Sequence, residues 1–236
     1  MKYLLNNPVY QGLISGDQHL GFGTEKVRFF DEEVSPFAGF DEEYDKGFED
    51  LYDLLPSGRI ILHATPYSIN QHKGWQLLDA VKGMQLVFGS GSDARPDFVN
   101  LVPLQEQHIA QMVELTALTK PGPFGLRTID FGNYFGIFEN DKLVAMAGQR
   151  LHVRNFTEVS AVCTHPDHLG KGYASALVQH LVHLIRQQDQ TPFLHVREDN
   201  ERAIAMYQRL GFTICGPMNF YVMKRETEKG SAAINP

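Results

Sequence analysis

The stretch THPDHLGKGYASALVQHL, residues 164–181, joins the end of a strand-like segment to a long amphipathic pattern. Its centre is Gly170-Lys171-Gly172, and apolar residues then recur at helical spacing from Ala174 to Ile185. The first N–H groups of a helix have no acceptor within the helix, and the helix dipole adds about half a positive charge there. Glycine lets such a backbone approach a phosphate without a Cβ clash. The stretch therefore predicts an anion-binding turn at the start of a helix, to which Lys171 adds a flexible positive charge.

The spacing of this turn excludes two common phosphate-binding motifs. The GxxxxGK[ST] pattern of a P-loop is missing, and so is the third glycine of the dinucleotide motif GxGxxG. A Gly-x-Gly turn alone is also compatible with a plain strand-to-helix connection. The rest of the chain has to decide between these two interpretations.

Composition excludes several classes of protein. Among 236 residues, 28 carboxylates outnumber 21 Lys and Arg, and no run of five basic residues occurs, so nucleic acid is not expected as a partner. Two cysteines without CxxC or Cys/His spacing predict neither a disulfide framework nor a metal site. No apolar run approaches the ~20 residues of a membrane helix, and Asn6 follows the N-terminus too soon for a signal-peptide core. We expect a cytoplasmic protein that does not bind membranes.

The best candidate for a domain boundary is GSGSDARPD, residues 89–97, which is typical of a linker. It divides the chain into an N-terminal α+β unit, residues 1–90, and a second domain, residues 97–225. In the first unit, an aromatic stripe predicts a helix over residues 39–55, and strands are predicted at 59–65 and 84–88. Residues 226–236 are polar and are predicted to fray.

The second domain shows a regular alternation of strand and helix patterns. A hairpin is predicted over residues 133–153, with its turn at Glu139–Lys142. The predicted strands outside the hairpin are 99–104, 156–164, 191–196 and 218–223, and the predicted helices are 105–118, 174–185 and 200–208. Gly211 follows the last helix, where a left-handed C-terminus favours glycine.

Two blocks, VCTHPDHLGKGYASAL (162–177) and LHVREDNERAIAMYQRLGF (194–212), together resemble the GCN5-related N-acetyltransferase (GNAT) family. With GPFGLRT (122–128) and LVAMAGQRL (143–151), they are most similar to its FR47-like branch, which includes relatives of glycine N-acyltransferase. The resemblance extends from about Phe98 to Lys224. It implies an α+β, three-layer α/β/α fold with a mixed, mostly antiparallel central sheet. From its strand-helix-strand order, the N-terminal unit is interpreted as a degenerate copy of that fold.

The resemblance implies acetyl-CoA as co-substrate, with its pyrophosphate at the turn and its pantetheine arm along residues 159–164. Val162 and Thr164 are the expected main-chain partners, because alternate residues present N–H and C=O to the same edge. The phosphate-binding signature of the family, [Gln/Arg]-x-x-Gly-x-[Gly/Ala], aligns with Leu169–Ala174. Its first position is therefore Leu169 instead of Gln or Arg, so backbone amides and Lys171 must supply more of the contact, with His168 able to help if protonated. The predicted coenzyme A contacts are Val162, Cys163, Thr164, Leu169, Gly170, Lys171, Gly172, Tyr173, Ala174, Ser175, Asn200, Ala203 and Tyr207.

Tyr207 is the candidate acid that protonates the departing thiolate, although a core tyrosine is the alternative. A phenol pKa of about 10 against about 8.5 for a thiol makes the transfer mildly uphill. Asn200 is either a ligand or the N-cap of its helix, and the two roles are compatible. Cys163 is not favoured as a nucleophile, since it faces away from Val162 and Thr164 into the core.

The general base is less clearly indicated. Glu158 lies four residues before Val162, which places both on the same side of a regular strand, and partial burial would raise its pKa. Alternatively, Glu158 is an exposed carboxylate or pairs with Arg150 or Arg154. His195, a water relay or an amine that arrives uncharged are the other candidates.

These features predict an N-acetyltransferase that moves an acetyl or other short acyl group from acyl-CoA to a primary amine by direct attack in a ternary complex. The alternatives are a non-catalytic acyl-CoA sensor and an acyltransferase for longer acyl chains. A small-molecule amine is expected where the hairpin at 135–150, the loop at 119–127 and the N-terminal unit converge. The chain is expected to be a monomer or a homodimer.

Overall fold

The computed structural model describes residues 4–91 and 100–227. Residues 92–97 of the predicted linker, the first residue of the strand predicted at 99–104 and most of the predicted frayed tail lie outside these ranges. The helices are α1 (Pro8–Leu13), α2 (Gly47–Leu54), α3 (Ile109–Thr119), α4 (Tyr173–Gln187) and α5 (Glu201–Arg209).

Eleven strands form two sheets in the described part of the chain. A small sheet contains β1 (Gly21–Gly23), β2 (Val27–Phe30) and β3 (Ala38–Phe40). The other strands are β4 (Ile60–Thr65), β5 (Trp75–Phe88), β6 (Val102–Pro103), β7 (Phe135–Glu139), β8 (Lys142–Val153), β9 (Phe156–Thr164), β10 (Thr191–Arg197) and β11 (Phe212–Arg225).

The large sheet has the order β4-β11-β5-β10-β9-β8-β7-β6. All of its neighbours are antiparallel except β9 and β10, which are parallel. Helix α4 packs on β8, β9 and β10, whereas α1 and α3 contribute to a second buried cluster with Phe193 and Met146. The predicted α+β class, with helices flanking a mixed and mostly antiparallel sheet, is confirmed.

Both predicted segments contribute to this sheet. Strands β4 and β5 come from residues 1–90, and β5 lies between β10 and β11 of the later segment. The division into residues 1–90 and 97–225, and the interpretation of the first unit as a degenerate copy of the fold, stay predictions.

The helix predicted over residues 39–55 is shorter than expected, because α2 covers only Gly47–Leu54. Phe40 instead ends β3, opposite Val27, and packs edge-on against Phe48 at 5.0 Å between ring centroids. Asp41 accepts the N–H of Glu43 and holds the intervening turn. The aromatic stripe is therefore a core contact between a strand and a helix, and its helical spacing is fortuitous.

An opening between β9 and β10 determines where the site lies. These strands pair only from Phe156 to Glu158; farther along, β9 pairs with β8 alone and β10 pairs with β5. A bulge interrupts β9 within this region, since Ala161 has φ +52° and the register shifts between Met146 and Gly148 of β8. One edge of β9 after Glu158 is thus left without a neighbouring strand.

Candidate active site

The Gly170-Lys171-Gly172 turn has the geometry that anion binding requires. Gly170 and Gly172 have φ values of +82° and +80°, and α4 begins at the next residue, Tyr173. None of the N–H groups of residues 170–175 donates a hydrogen bond to another described residue. A Cβ added to Gly170 would meet no atom within 4 Å, so the space in front of this backbone is open. These amides are available to an external acceptor.

A cavity of about 360 Å³ runs from this turn along β9 to α5. All of the predicted coenzyme A contacts line it except Lys171. The second sequence block reaches the cavity through Asn200, Ala203 and Tyr207, which come from α5 and its N-cap. The structure thus brings the two blocks into one groove, while the role of each residue stays a prediction.

Lys171 directs its charge toward the β7–β8 hairpin. Its Nζ lies 2.8 Å from Oε1 of Glu139, and the Tyr173 hydroxyl donates to the same oxygen. The hydrogen bond from Lys171, followed by that from Tyr173, lowers the pKa of Glu139 to about 2. His168 Nδ1 also lies 3.3 Å from this carboxylate. The positive charge expected from Lys171 at the turn is therefore shared with an anion of the protein.

Two arginines that the sequence reasoning missed supply other positive charge at the groove. Arg202 and Arg209 of α5 are exposed and line it, and neither has an ion-pair partner among residues 4–91 and 100–227. Their spacing, with Met206 between them, is the helical i, i+4, i+7 pattern of a single face. This spacing is the feature of the sequence from which the two arginines could have been predicted to share the face of α5 that contains Met206.

The free edge of β9 lies in the same groove. The His165 N–H donates to the Val144 carbonyl of β8 at 2.7 Å. Because backbone groups alternate along a strand, those of Thr164 and Val162 point to the opposite edge, toward the opening. An extended ligand chain at this edge would find the main-chain groups expected from the sequence.

Tyr207 is 7% exposed and lines the groove. Burial, followed by the neighbouring Cys163 thiol, raises the pKa of its phenol above the ordinary value, so the hydroxyl stays protonated at neutral and alkaline pH. Asn200 is the N-cap of α5, since its side chain accepts the Ala203 N–H at 3.1 Å. The predicted capping role is confirmed, and its role as a ligand stays a prediction.

Cys163 is buried and belongs to the core cluster on the α3 side of the sheet, as expected for a side chain that faces away from Val162. Burial raises the pKa of its thiol to about 11. Little thiolate forms at neutral pH, which disfavours a covalent role for Cys163.

The expectation of a raised pKa for Glu158 is wrong. Its side chain is fully buried, and Arg150 binds both carboxylate oxygens, with Nε–Oε2 at 2.8 Å and Nη2–Oε1 at 2.7 Å. His195 Nδ1 lies 2.7 Å from Oε1. Burial alone would raise the pKa of Glu158, but the Arg150 charge and these hydrogen bonds outweigh it and hold the pKa well below the usual range. The anticipated alternative, pairing with Arg150, is what the structure contains.

Glu158 and Val162 also fail to share a side of the strand. Val162 packs against the cluster under α4 and α5, whereas Glu158 contacts Arg150 and His195, which line a cavity on the other side of the sheet. The bulge at Ala161 inserts one residue and reverses the alternation between the two positions.

Glu158→Ala is expected to lower the free energy of unfolding by roughly 3–5 kcal/mol, because Arg150 is left buried without its carboxylate. Folding lowers the pKa of Glu158, so the stabilising contribution of this carboxylate depends on pH. The contribution is present above the ordinary glutamate pKa of about 4.3 and is lost as the pH falls below that value. Urea unfolding at several pH values measures both effects. The exposed pair Arg127–Asp130 provides the control, since Arg127→Ala is expected to cost less than about 1 kcal/mol. Equal losses in the two variants would contradict a structural role for the buried pair.

A second cavity, of about 230 Å³, lies on this other side of the sheet. Its walls include Phe37 and Leu62 from the N-terminal segment, Lys120–Pro123 from the predicted loop, and Arg150 from the hairpin. The charged residues that line it are Lys120, Arg150 and Arg197, and no carboxylate is among them. These are the regions from which an acceptor site was predicted.

Both ring nitrogens of His195 have partners in the described structure. Gln85 Nε2 lies 3.0 Å from Nε2 of the ring and also donates to the Leu5 carbonyl. With Gln85 as donor, Nε2 is the acceptor and Nδ1 carries the proton that Glu158 accepts. The lone pair of His195 is therefore occupied, which disfavours it as the base for a substrate amine.

Among the described residues, no helix is long and apolar enough to span a membrane. Within the same part of the chain, no three His, Cys, Asp or Glu side chains are grouped so that they could hold a metal ion.

Residues 134–220 match the family model of the FR47-like proteins. No curated protein matches the sequence. A structure assigned to the GNAT acetyltransferases from Novosphingobium aromaticivorans DSM 12444 superposes with a TM-score of 0.86 at 27% identity, covering 95% of this chain and 99% of that one. A GCN5-related N-acetyltransferase from Kribbella flavida gives a TM-score of 0.64 at 13% identity, with 94% and 96% covered. Residues 134–220 are thus similar to the FR47-like proteins, and the described part of the chain has the fold of the GCN5-related N-acetyltransferases.

Proposed function

We propose that this protein is an N-acyltransferase that transfers an acetyl or another short acyl group from acyl-CoA to a small-molecule primary amine, with both substrates bound together. The observation that carries the proposal is the groove itself. It combines a glycine turn at a helix N-terminus, an unpaired strand edge and the Tyr207 hydroxyl in one cavity. The second cavity, across the sheet, is the proposed acceptor site.

The groove fits coenzyme A in its chemistry. The N–H groups of residues 170–175 and the exposed Arg202 and Arg209 are donors for phosphate oxygens. The open space in front of Gly170 allows a phosphate to come close to the backbone. The main-chain groups of Val162 and Thr164 suit the amides of a pantetheine arm. Acyl-CoA would supply an acyl group already activated by a sulfur leaving group.

The residues of the chain have three tasks in this reaction. Backbone groups at the free edge of β9 hold and polarise the acyl carbonyl, the second cavity orients the amine, and Tyr207 gives its proton to the departing sulfur. A C–N bond forms as the C–S bond breaks. One proton leaves the nitrogen for solvent and one reaches Tyr207 again from solvent, so the products are an N-acyl amine and a free thiol.

The proposal is tested by incubating the full chain with acetyl-CoA and a panel of small primary amines. Release of free thiol and formation of N-acetyl amine, dependent on both the amine and the protein, are expected. Competition among acyl-CoA molecules of rising chain length then defines the preferred acyl group. Failure of every amine to be acylated would contradict the proposed function.

One observation favours a non-catalytic acyl-CoA sensor as a second candidate. The first position of the phosphate signature is Leu169, which is 51% exposed and offers no hydrogen bond, and the Lys171 charge is held by Glu139. A sensor would bind CoA while releasing no thiol with any amine. The same incubation, combined with a CoA titration, separates the two functions.

A further inference from the structure

One buried tyrosine hydroxyl is unpaired beside the proposed acceptor cavity. Tyr134 is 2% exposed, and its hydroxyl has no hydrogen-bond partner among the described residues. Its ring stacks edge-on against Phe124 and fills the space that Gly148 leaves open, because a Cβ on Gly148 would lie 2.2 Å from the ring. The ring is thus fixed by packing. A buried hydroxyl in such a place costs free energy unless something else binds it.

The Tyr134 side chain lines a third, small cavity of about 10 Å³, about the room that one water molecule or one amino group needs. Ser160 and Ala161 of the β9 bulge form one wall, immediately before Val162 of the coenzyme A groove. Arg150 and Pro121–Pro123 form another wall and also line the proposed acceptor cavity. The small cavity therefore shares a wall with the proposed acceptor cavity, and its residue Ala161 precedes Val162 of the coenzyme A groove in the chain.

The hydrogen-bonding groups around this cavity suit an uncharged amine. The hydroxyls of Tyr134 and Ser160 can each accept one N–H, and the Tyr134 hydroxyl has no partner among the described residues. The Thr128 hydroxyl is already occupied, since it donates to the Val34 carbonyl and accepts the Gly125 N–H. Two accepted N–H bonds would leave the nitrogen lone pair free to attack an acyl carbon at the bulge.

The charges around the cavity oppose an ammonium ion. Arg150 presents only donors to it, and the charged residues that line the adjoining cavity, Lys120, Arg150 and Arg197, are all cationic. Glu158 is the nearest buried carboxylate, but Arg150 and His195 occupy its oxygens and it lines neither cavity. Burial also keeps the Tyr134 phenol protonated by raising its pKa, so Tyr134 offers no negative charge.

We infer that this small cavity is the subsite for the acceptor nitrogen, and that Tyr134 and Ser160 bind the amine there only in its uncharged form. The inference rests on the proposed function. It also identifies the base that deprotonates the amine: solvent removes the proton from the ammonium ion before binding, so no side chain of the protein is needed for this step. Tyr134, Ser160 and Arg150 are then the residues that select the protonation state of the substrate.

The test uses ethylamine and 2,2,2-trifluoroethylamine, whose fluorines lower the amine pKa to below neutral pH. For ethylamine, kcat/KM is expected to rise about tenfold per pH unit between about pH 7 and pH 9, in step with its uncharged fraction. For trifluoroethylamine, which is uncharged over this whole pH range, kcat/KM is expected to stay constant. A flat ethylamine profile, or a trifluoroethylamine profile that falls as pH rises, would show binding of the ammonium ion and overturn the inference.

Variants of Tyr134 and Ser160 test whether these two hydroxyls bind the amine. Tyr134→Phe keeps the packed ring, so it is expected to fold, to bind CoA within about twofold of the wild type and to lose about tenfold in kcat/KM for ethylamine. Ser160→Ala is expected to behave similarly. Tyr10→Phe is the control, since the Tyr10 hydroxyl donates to the Glu25 carbonyl and lines none of the three cavities.

The outcomes separate this inference from the proposed function. Wild-type kcat/KM in Tyr134→Phe, with ethylamine acetylated normally, would overturn the amine subsite and leave the acyltransferase proposal standing. Failure of the wild-type protein to acetylate ethylamine or any other amine would contradict the proposed function, and the amine subsite with it.

Discussion

Tyr207→Phe is expected to lower kcat about 100-fold while leaving the affinity for CoA within about twofold of the wild type. The phenylalanine keeps the ring that packs against Phe212, at 6.0 Å between centroids, and removes only the hydroxyl. Without it, the sulfur must leave as an unprotonated thiolate or wait for a proton from water. The raised pKa of Tyr207 also predicts that the acid stays protonated and functional up to at least about pH 10.

Steady-state kinetics with acetyl-CoA and an active amine, together with calorimetric titration of CoA, measures both quantities. Tyr221→Phe is the matched control, because its hydroxyl donates to the Tyr67 carbonyl at 3.2 Å and lines none of the cavities described above. Unchanged turnover in Tyr207→Phe would assign Tyr207 a structural role only.

Gly170→Val is expected to weaken CoA binding by at least about 30-fold. The new side chain points into open space in front of the turn, so it clashes with no protein atom but occupies the position that a phosphate needs. The positive φ of Gly170 makes valine strained as well, and that strain has to be separated from crowding of the ligand.

The variant Gly58→Val is the control that separates backbone strain from crowding of the ligand. The φ of Gly58 is +81°, against +82° for Gly170, and a Cβ there also meets no atom within 4 Å. Gly58 lies beyond α2 and does not line the groove. Gly58→Val is therefore expected to lose similar stability in thermal unfolding but to bind CoA like the wild type. Equal CoA affinity in Gly170→Val and the wild type would contradict the phosphate-binding role of the turn.

The sequence predicted the features that depend on local pattern. The turn, the amphipathic helix after it and the Asn200 cap follow from residue types at fixed spacing, and the structure contains all three. The resemblance to the GNAT family also predicted the class of fold. The outer part of β5 was missed, because residues 76–80 are exposed and the adjacent Leu77 and Leu78 do not follow the apolar–polar alternation of a half-buried strand.

Features created by tertiary contacts could not be predicted. A bulge at Ala161, a non-glycine residue with positive φ, has no mark in the sequence, yet it moves Glu158 to the other side of the sheet from Val162. The proposed acceptor cavity joins Phe37, Leu62, Lys120, Arg150 and Phe220, which are separated by up to 183 positions, the difference between 220 and 37. No local spacing of residues in the sequence predicts that these five residues line one cavity.

The central claim is that backbone N–H groups of residues 170–175 bind the pyrophosphate of coenzyme A. Calorimetric titration of the wild-type chain with CoA, repeated with Gly170→Val and Gly58→Val, tests it most directly. The expected result is that the wild type and Gly58→Val each bind one CoA per chain and that binding is strongly weakened in Gly170→Val. No heat of binding from the wild-type chain, even at millimolar CoA, would contradict it.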